Sequence, residues 1–301
     1  MYIVLTVSSA PSVAEATPSV TRHRARWLST SLGDGKASYC EIGPEKGIAN
    51  GQELHTVVFS HGWALGPHAY RHSLEAVSQL GCRVLAPSLP GFAGTSELPP
   101  EELSFAGYSS WLARFLQSCE ISKPVTLVGH SFGGAVAIKF AQEHPGLVDS
   151  LVLANPVAAP TWSYRHGNGR SMDERPLWDW GRHLGGDLLS PDQVVRVLPP
   201  VLGDLVPNLI QNPLALWRVA SLIRQADLRS ELLQLARRDL PVTAIWSDRD
   251  KLISRAAFET TCKALATEGV VVEGSHAWLI ANPAQFAEIV AVSISNACVG
   301  P

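Results

Sequence analysis

Short apolar segments rich in β-branched residues alternate with segments of helical length, and this alternation restricts the possible folds more than any other feature. His55–Phe59 reads HTVVF, a nearly continuous apolar run typical of a strand buried on both faces of a sheet. The pattern recurs in Arg83–Ala86, Val125–Val128, Leu151–Leu153, Val242–Trp246 and Gly269–Val272. Segments of helical length and composition lie between these runs: Ala69–Leu80, Phe105–Cys119, Ala135–Glu143, Arg255–Ala266 and Pro283–Asn296. The sequence therefore predicts an α/β fold with a mostly parallel sheet flanked by helices.

Three further segments complete the predicted organisation. Arg26–Leu32 and Lys36–Ile42, joined by a Gly-Asp-Gly turn, read as an opening hairpin. Between 157 and 239 no convincing strand occurs, and Leu-rich helical patterns are interrupted by prolines. Because an unstructured loop of about 80 residues is implausible in a compact domain, we expect a helical cap there, inserted between core segments 25–156 and 240–301. Residues 1–24 begin with an apolar stretch but lack a basic n-region, so we expect a flexible N-terminal extension, with a signal peptide as the weaker interpretation, and a cytoplasmic protein.

Composition excludes several classes of protein. The 301 residues carry a net charge of −3 and no basic tract, which disfavours a nucleic-acid binder, and no apolar run is long enough to span a bilayer. The five cysteines are scattered, odd in number and without a CxxC pair, so neither a zinc site nor a disulfide scaffold is indicated. We expect no cofactor, no metal, no nucleic-acid partner and no membrane span, and the expected partner is a small-molecule apolar ester substrate. The pattern leaves the oligomeric state open.

The strongest chemical signal lies at Ser131. Residues 129–133 read G-H-S-F-G, the G-x-S-x-G motif, between a predicted buried strand and a predicted helix. That context suits a nucleophilic serine on a sharp, strained turn, where Gly129 and Gly133 avoid clashes that a Cβ would cause. The amide of Phe132, at the start of the helix, can donate to a developing oxyanion. A Gly-rich turn with an incidental serine is the alternative.

A nucleophilic serine needs a base, and we expect His276 to provide it. His276 follows the Gly269–Val272 strand, so it lies at the same sheet edge as Ser131. His61 and His130 are near that edge and compete for the role, although His130 should point away from the hydroxyl.

An acid must orient the histidine. The Val242–Trp246 strand ends in Ser-Asp-Arg-Asp, so both Asp248 and Asp250 are candidates. The other plausible position, at the end of the preceding strand, holds Asn155, which cannot carry a charge. The alternative is a solvated turn in which either aspartate caps the following helix.

The second oxyanion donor should come from the loop after the His55–Phe59 strand, which reads Ser60-His61-Gly62-Trp63. Gly62 allows the backbone to approach a substrate closely, so the amide of Trp63 is our candidate. Its indole could also form a wall of the pocket.

These motifs together look like the α/β-hydrolase superfamily, in the chain order serine, acid, histidine. The matching segments are the elbow Gly129–Gly134, the His61-Gly62-Trp63 loop, Pro90–Ser96, Asp250 and Gly274–His276. The resemblance covers about residues 25–297 and implies an eight-stranded sheet with a lid inserted after the sixth strand. It favours Asp250 over Asp248 as the acid.

Two departures from the family pattern leave the triad intact. Ser88 replaces an aspartate that is often found before the Pro-Gly loop, and Ser247 replaces a common glycine before the acid turn. A serine at the elbow, in place of aspartate, argues against the haloalkane dehalogenase and epoxide hydrolase branches.

The predicted activity is hydrolysis of a carboxylic ester or thioester of a small to medium apolar acid through an acyl-enzyme. Predicted substrate-binding residues are Trp63, Phe132, Trp162 and Trp278, while the cap tryptophans Trp162, Trp178, Trp180 and Trp217 either line a pocket or pack the cap. The His-Gly-Trp loop is similar to that of cofactor-free haloperoxidases (perhydrolases), and carbon–carbon bond hydrolases share the triad. A ligand receptor that retains the fold with little turnover is the alternative from another class.

Overall fold

The sheet at the centre of the molecule contains every strand that the sequence predicts, with ends shifted by at most three residues. In a computed structural model, the described residues are 3–4, 24–33, 35–44, 48–49, 52–159, 161–163, 169–171 and 194–299. The strands are, in chain order, β1 (Ile3–Val4), β2 (Arg26–Leu32), β3 (Gly35–Ile42), β4 (Ile48–Ala49), β5 (Gln52–Glu53), β6 (Thr56–Ser60), β7 (Arg83–Pro87), β8 (Val125–His130), β9 (Val148–Ala154), β10 (Thr161–Ser163), β11 (Gly169–Ser171), β12 (Val242–Ser247) and β13 (Val270–Val272).

The main sheet has the strand order β1-β13-β12-β9-β8-β6-β7-β3-β2, in which only β3 runs against the other strands. Ser60 of β6 pairs with Gly129 of β8, and His130 of β8 pairs with Ala154 of β9. The loops that follow these three central strands therefore leave the sheet side by side at its carboxyl edge. Ligand sites of open parallel sheets form at such an edge.

One strand of the main sheet was not expected. The sequence predicts an extension over residues 1–24, yet Ile3 and Val4 pair in parallel with Val270 and Val271 and form a ninth strand at the sheet edge. The outer edge of β13 has backbone groups that need partners, and this apolar pair meets that need. The rest of the predicted extension, apart from Arg24, lies outside the described residues.

Helices cover both faces of the sheet. They are α1 (Arg71–Ser78), α2 (Phe105–Ser118), α3 (Phe132–Glu143), α4 (Val194–Gln211), α5 (Pro213–Arg224), α6 (Arg229–Ala236), α7 (Arg255–Leu265), α8 (Trp278–Ala281) and α9 (Pro283–Val299). Side chains of the central strands alternate between the faces, so Val58 packs with α2 and α3 while Val57 and Phe59 pack with α1 and α9. β6, β7 and β8 are buried along their whole length, which explains their continuous apolar sequences.

The segment 157–239 differs from expectation in two respects. A short antiparallel hairpin, β10 with β11, occurs where the sequence suggests no strand. In addition, α4 continues through Pro199, Pro200 and Pro207, which the sequence predicts to interrupt it. An interior proline costs a helix about 3 kcal/mol, so contacts outside α4 must offset this cost; Val197 and Val201, both buried against the core, supply some of them. Trp178 and Trp180 lie outside the described residues.

Within the part of the chain that the structure describes, none of the helices has the length and apolar character needed to cross a membrane.

Candidate active site

Ser131 lies in the strained turn that the motif predicts. It separates the last residue of β8 from the first residue of α3 and has φ 54° and ψ −117°. A non-glycine residue at positive φ costs on the order of 1–3 kcal/mol and persists only where its surroundings enforce it. The neighbours do enforce it: a Cβ on Gly129 would lie 2.5 Å from the Gly133 carbonyl oxygen, and a Cβ on Gly133 would lie 2.1 Å from the Ser60 carbonyl oxygen.

Backbone hydrogen bonds fix the same turn. The Ser131 amide donates to the Ala154 carbonyl at 3.1 Å, and the Ser131 carbonyl accepts from the amides of Gly134 and Val157, each at 3.0 Å. Ser131 is partly exposed, whereas its neighbours His130 and Phe132 are buried. The fold therefore presents the serine and hides the residues on either side of it.

His276 and Asp250 form a buried pair at the carboxyl edge. Nδ1 of His276 is 2.7 Å from Oδ2 of Asp250, and the two side chains are 7% and 0% exposed. Oδ1 of Asp250 accepts from the amides of Leu252 and Ile253 at 2.7 and 2.9 Å. An ionised carboxylate only accepts hydrogen bonds, so Nδ1 of His276 carries the hydrogen and Nε2 is the basic nitrogen.

Asp248 bonds to the backbone of the loop that carries His276. Its side chain is 47% exposed, and its Oδ1 accepts from the Gly274 amide at 2.9 Å. The Arg249 amide donates to the Gly274 carbonyl at 3.0 Å. Asp248 thus links the acid turn to the histidine loop, and of the two candidate acids the structure brings Asp250 to His276.

Asn155 is the residue whose contribution sequence reasoning missed. It is fully buried, and its Nδ2 donates to Asp250 Oδ2 at 2.5 Å and to the Ser247 hydroxyl at 2.8 Å. Its Oδ1 accepts from the Trp278 indole at 2.8 Å. Position 155 follows β9, the neighbour of β12, and this adjacency is the sequence signal that could have identified it. Asn155 therefore helps to hold the Asp250 carboxyl in place.

The two competing histidines have structural roles. Nδ1 of His61 donates to the Gly62 carbonyl at 2.8 Å, and its Nε2 accepts from the Leu89 amide at 2.8 Å. Burial lowers the pKa of His61 to about 4, so the ring is neutral near pH 7. Both ring nitrogens are occupied by backbone partners, and His61 is therefore not available as a general base.

His130 connects two loops of the site. Its Nε2 donates to the His276 carbonyl at 3.0 Å, and its Nδ1 accepts from the Tyr70 hydroxyl at 2.8 Å. The Tyr70 oxygen in turn accepts from the Gly62 amide at 3.2 Å. Burial is the main cause that holds the pKa of His130 well below its usual range, with a further contribution from the charge of His276. The chain of bonds thus runs from the Gly62 loop to the backbone of His276.

The two amides predicted to form an oxyanion hole lie on neighbouring loops. Phe132 is the first residue of α3, where amides have no carbonyl partner within the helix. Trp63 follows β6 by three residues, and β6 pairs directly with β8. Both amides therefore lie at the same edge of the sheet as Ser131, one at the start of α3 and one in the loop after β6.

The predicted substrate-binding side chains differ in how far they are buried. Trp278 is fully buried and packs against Phe286, and the Phe132 ring is fully buried against Tyr108, so neither offers surface to a ligand in this structure. The Trp63 ring is partly buried, with its indole donating to the Leu216 carbonyl of α5 at 3.0 Å.

The tryptophans of the predicted cap give little evidence for a pocket. Trp217 on α5 is 61% exposed. The side chain of Trp162 lies outside the described residues, as do Trp178 and Trp180.

Curated relatives include both uncharacterized proteins and esterases. An uncharacterized protein of Mycobacterium tuberculosis is 27% identical over 237 residues, which cover 69% of this chain and 66% of that protein, so the chain spans just under two thirds of its length. The pimeloyl-[acyl-carrier protein] methyl ester esterase of Aromatoleum aromaticum is 35% identical over 220 residues, covering 67% of this chain and 82% of the esterase.

Among solved structures, the enol-lactonase of Burkholderia xenovorans superposes with a TM-score of 0.69. The match covers 90% of this chain and all of the lactonase, at 16% sequence identity. At that identity the likeness shows the fold alone.

A family model matches most of the sequence, from the second residue of β6 into α9. Its description is alpha/beta hydrolase family, and it spans residues 57–289. This range contains Ser131, Asp250 and His276. The mostly parallel sheet of the structure agrees with this family match. The chain belongs to the alpha/beta hydrolase family.

Proposed function

We propose that this chain is a serine hydrolase that cleaves a carboxylic ester or thioester of a small to medium apolar acid. The observation that carries the proposal is the buried His276–Asp250 pair at the sheet edge where the strained turn presents Ser131. In this proposal Ser131 is the nucleophile, His276 the general base and Asp250 the orienting acid. A nucleophile, a base and an orienting group in this arrangement perform acyl transfer.

The proposed mechanism assigns one group to each step. Nε2 of His276 takes the proton from Ser131 Oγ as that oxygen attacks the carbonyl carbon, and the negative oxygen of the tetrahedral intermediate accepts from the amides of Trp63 and Phe132. The imidazolium then gives its proton to the departing alcohol or thiol, which leaves an acyl-enzyme. A water molecule, deprotonated by His276, attacks the acyl carbon, and His276 then returns that proton to Ser131 Oγ as the bond to the acyl carbon breaks and the acid departs.

The proposed substrate class draws on the relatives and on the segment 157–239. The Aromatoleum relative is named an ester hydrolase, which favours esters for this chain. We propose that 157–239 acts as the cap that selects the acyl group, since α4 and α5 bond to loops at the carboxyl edge. An apolar pocket distinguishes substrates by about 1–3 kcal/mol per methylene, so chain-length preference should be graded.

Hydrolysis of p-nitrophenyl acetate, butyrate, octanoate and laurate tests the proposal. The wild-type chain should turn over at least one ester, and Ser131→Ala and His276→Ala should each remove most of kcat. The double variant should lose little more, because members of one triad act as a unit. Retention of more than about a tenth of kcat by Ser131→Ala contradicts the assignment, since loss of a triad member costs orders of magnitude.

Two further substrates separate the rival chemistries in the same assay. Turnover of a ring-cleavage dienone in place of the esters would identify a carbon–carbon bond hydrolase, and peroxide-dependent halogenation would identify a perhydrolase. Saturable binding of an ester without turnover would identify a receptor.

A further inference from the structure

Two polar side chains, Asp204 and Asn208, lie four residues apart on one face of α4. Asp204 is only 7% exposed and Asn208 only 3%. A buried carboxylate and a buried amide lower stability unless they are hydrogen-bonded. Their partners are backbone groups of the loops that follow β6 and β7.

Asp204 holds the first of these loops. A single oxygen, Oδ2, accepts from the amide of Gly66 at 3.0 Å and from the amide of Ala69 at 2.8 Å. Burial raises the pKa of this carboxyl, while the two amides lower it. The carboxylate therefore organises the turn that leads from the β6 loop into α1.

Asn208 joins the β6 loop to the β7 loop. Its Nδ2 donates to the Ala64 carbonyl at 2.9 Å, and its Oδ1 accepts from the Ala93 amide at 2.8 Å. Both alanines have positive φ, 65° and 44°, a strained conformation that needs support from the surroundings. The loops also touch directly, because a Cβ on Gly66 would lie 2.6 Å from the Ala93 Cβ.

Residues 62–69, which we call the oxyanion loop, are thus held from two sides. The body of the protein holds Gly62 through the Tyr70 hydroxyl. The segment 157–239 holds the rest: α5 through the bond of the Trp63 indole to Leu216, and α4 through Asp204 and Asn208. The Trp63 amide lies between these attachment points.

We propose that Asp204 and Asn208 are positioning residues that set the Trp63 amide for catalysis, so that docking of α4 controls turnover. This inference rests on the proposed function, in which that amide binds the oxyanion. Oxyanion stabilisation depends on donors held within a few tenths of an ångström, and a displacement of about 1 Å can cost on the order of a hundredfold in rate. Loosening of the loop should therefore reduce kcat, with a small effect on KM.

The variants separate positioning from general stability. Asp204→Ala removes the acceptor for the amides of Gly66 and Ala69, and Asn208→Ala removes the donor to the Ala64 carbonyl. Asp204→Asn keeps an oxygen that can accept from both amides, so it should rescue turnover. The matched control is Arg218→Ala on α5, which removes a partly exposed ion pair with Glu97 at 3.0 Å and leaves residues 62–69 untouched.

Three readouts are measured on the full chain. Steady-state hydrolysis of the best p-nitrophenyl ester gives kcat and KM. Inhibition by phenylboronic acid, which forms a tetrahedral adduct on a nucleophilic serine, reports on the oxyanion donors. Hydrogen exchange of the peptide Gly62–Tyr70 reports on the loop without any substrate.

Asp204→Ala and Asn208→Ala should lower kcat about ten- to a hundredfold and weaken inhibition by phenylboronic acid by a similar factor. Both should also speed hydrogen exchange in the peptide Gly62–Tyr70. Arg218→Ala and Asp204→Asn should stay close to wild type in all three. Faster exchange or a lower Tm with unchanged kcat and unchanged inhibition overturns the proposal, because it assigns both side chains a structural role only. If Asp204→Ala does not fold, Asn208→Ala still decides the question.

The test distinguishes the two proposals. Absence of ester turnover and of phenylboronic acid binding in the wild-type chain overturns the proposed function, and with it the catalytic role of the loop. Turnover in the wild-type chain together with full activity in Asn208→Ala overturns the positioning role alone.

Discussion

Asn155 donates a hydrogen bond from Nδ2 to Oδ2 of Asp250, 2.5 Å away. The same oxygen receives the Nδ1 hydrogen of His276. A buried amide just after β9 therefore helps to set the position of the Asp250 carboxyl in the turn after β12, and this carboxyl in turn holds the His276 ring.

Replacement of Asn155 by alanine should lower kcat for ester hydrolysis about ten- to a hundredfold, because Asp250 loses one of the bonds that orient it. Trp278→Phe is the matched control, since it removes the indole donor to Asn155 and leaves the bond to Asp250 intact. It should lower Tm more than it lowers kcat. Equal kcat values for Asn155→Ala and the wild type, measured on folded protein, would show that Asn155 only fills space.

The two aspartates of the acid turn should respond differently to conversion to asparagine. Asp250→Asn should lower kcat by several orders of magnitude, because an amide group cannot hold His276 in the required tautomer. Asp248→Asn should have a mild effect, since an amide oxygen can still accept from Gly274. Steady-state kinetics on both variants provides the comparison. A larger loss in Asp248→Asn would mean that the acid is assigned to the wrong residue.

Stability should fall as the pH is lowered, in part because of His61. Its pKa is about 4 in the folded protein and about 6.5 in an unfolded chain, so the unfolded state binds the proton more readily. The stabilisation that comes from neutral His61 is fully present above pH 6.5 and is lost as the pH falls from 6.5 to 4. Below pH 4 the pH no longer changes it. A difference of this size corresponds to about 3 kcal/mol of unfolding free energy.

Urea unfolding at a series of pH values measures this effect. The His61→Gln variant, which cannot titrate, should be less stable at pH 7 and should show a shallower loss between pH 6.5 and 4. Parallel curves for the two proteins would assign the acid sensitivity to other groups.

Removal of residues 1–24 should affect stability slightly and catalysis very little. The truncated chain beginning at Ala25 loses the short pairing of Ile3–Val4 with β13, while β13 keeps its partner β12. A loss of about 1 kcal/mol, roughly 2 °C in Tm for a domain of this size, is expected. Thermal unfolding and ester kinetics check it. A drop in kcat of tenfold or more would show that the N-terminal strand supports the His276 loop.

The sequence predicts the sheet and the elbow well because both depend on local rules. A strand buried on both faces must be apolar throughout, as β6 and β8 are, and a strained serine turn must have glycine at 129 and 133. His276 could be ranked above His61 and His130 because it follows the last strand, and the family resemblance, not local pattern, separated Asp250 from Asp248.

The remaining features depend on contacts between distant residues. Asn155 and Trp278 are 123 positions apart, and no local pattern indicates that the indole donates to the amide. Nor does the local sequence indicate that α4 continues through Pro199, Pro200 and Pro207, since proline disfavours a helix interior. Buried contacts such as those of Asp204 and Asn208 with loops more than a hundred positions away offset that preference.

Crowding around the elbow fixes the backbone conformation at the glycines, whereas the side chain at position 131 can change independently. A Cβ at Gly129, Gly133 or Gly134 would come within 2.7 Å of a neighbouring heavy atom, so side chains are excluded at all three positions. Position 131 itself is partly exposed and already carries a side chain. A single exchange at 131, such as Ser131→Cys, therefore alters the reacting atom while the turn keeps its shape, and new chemistry can arise on this scaffold without a search for a new fold.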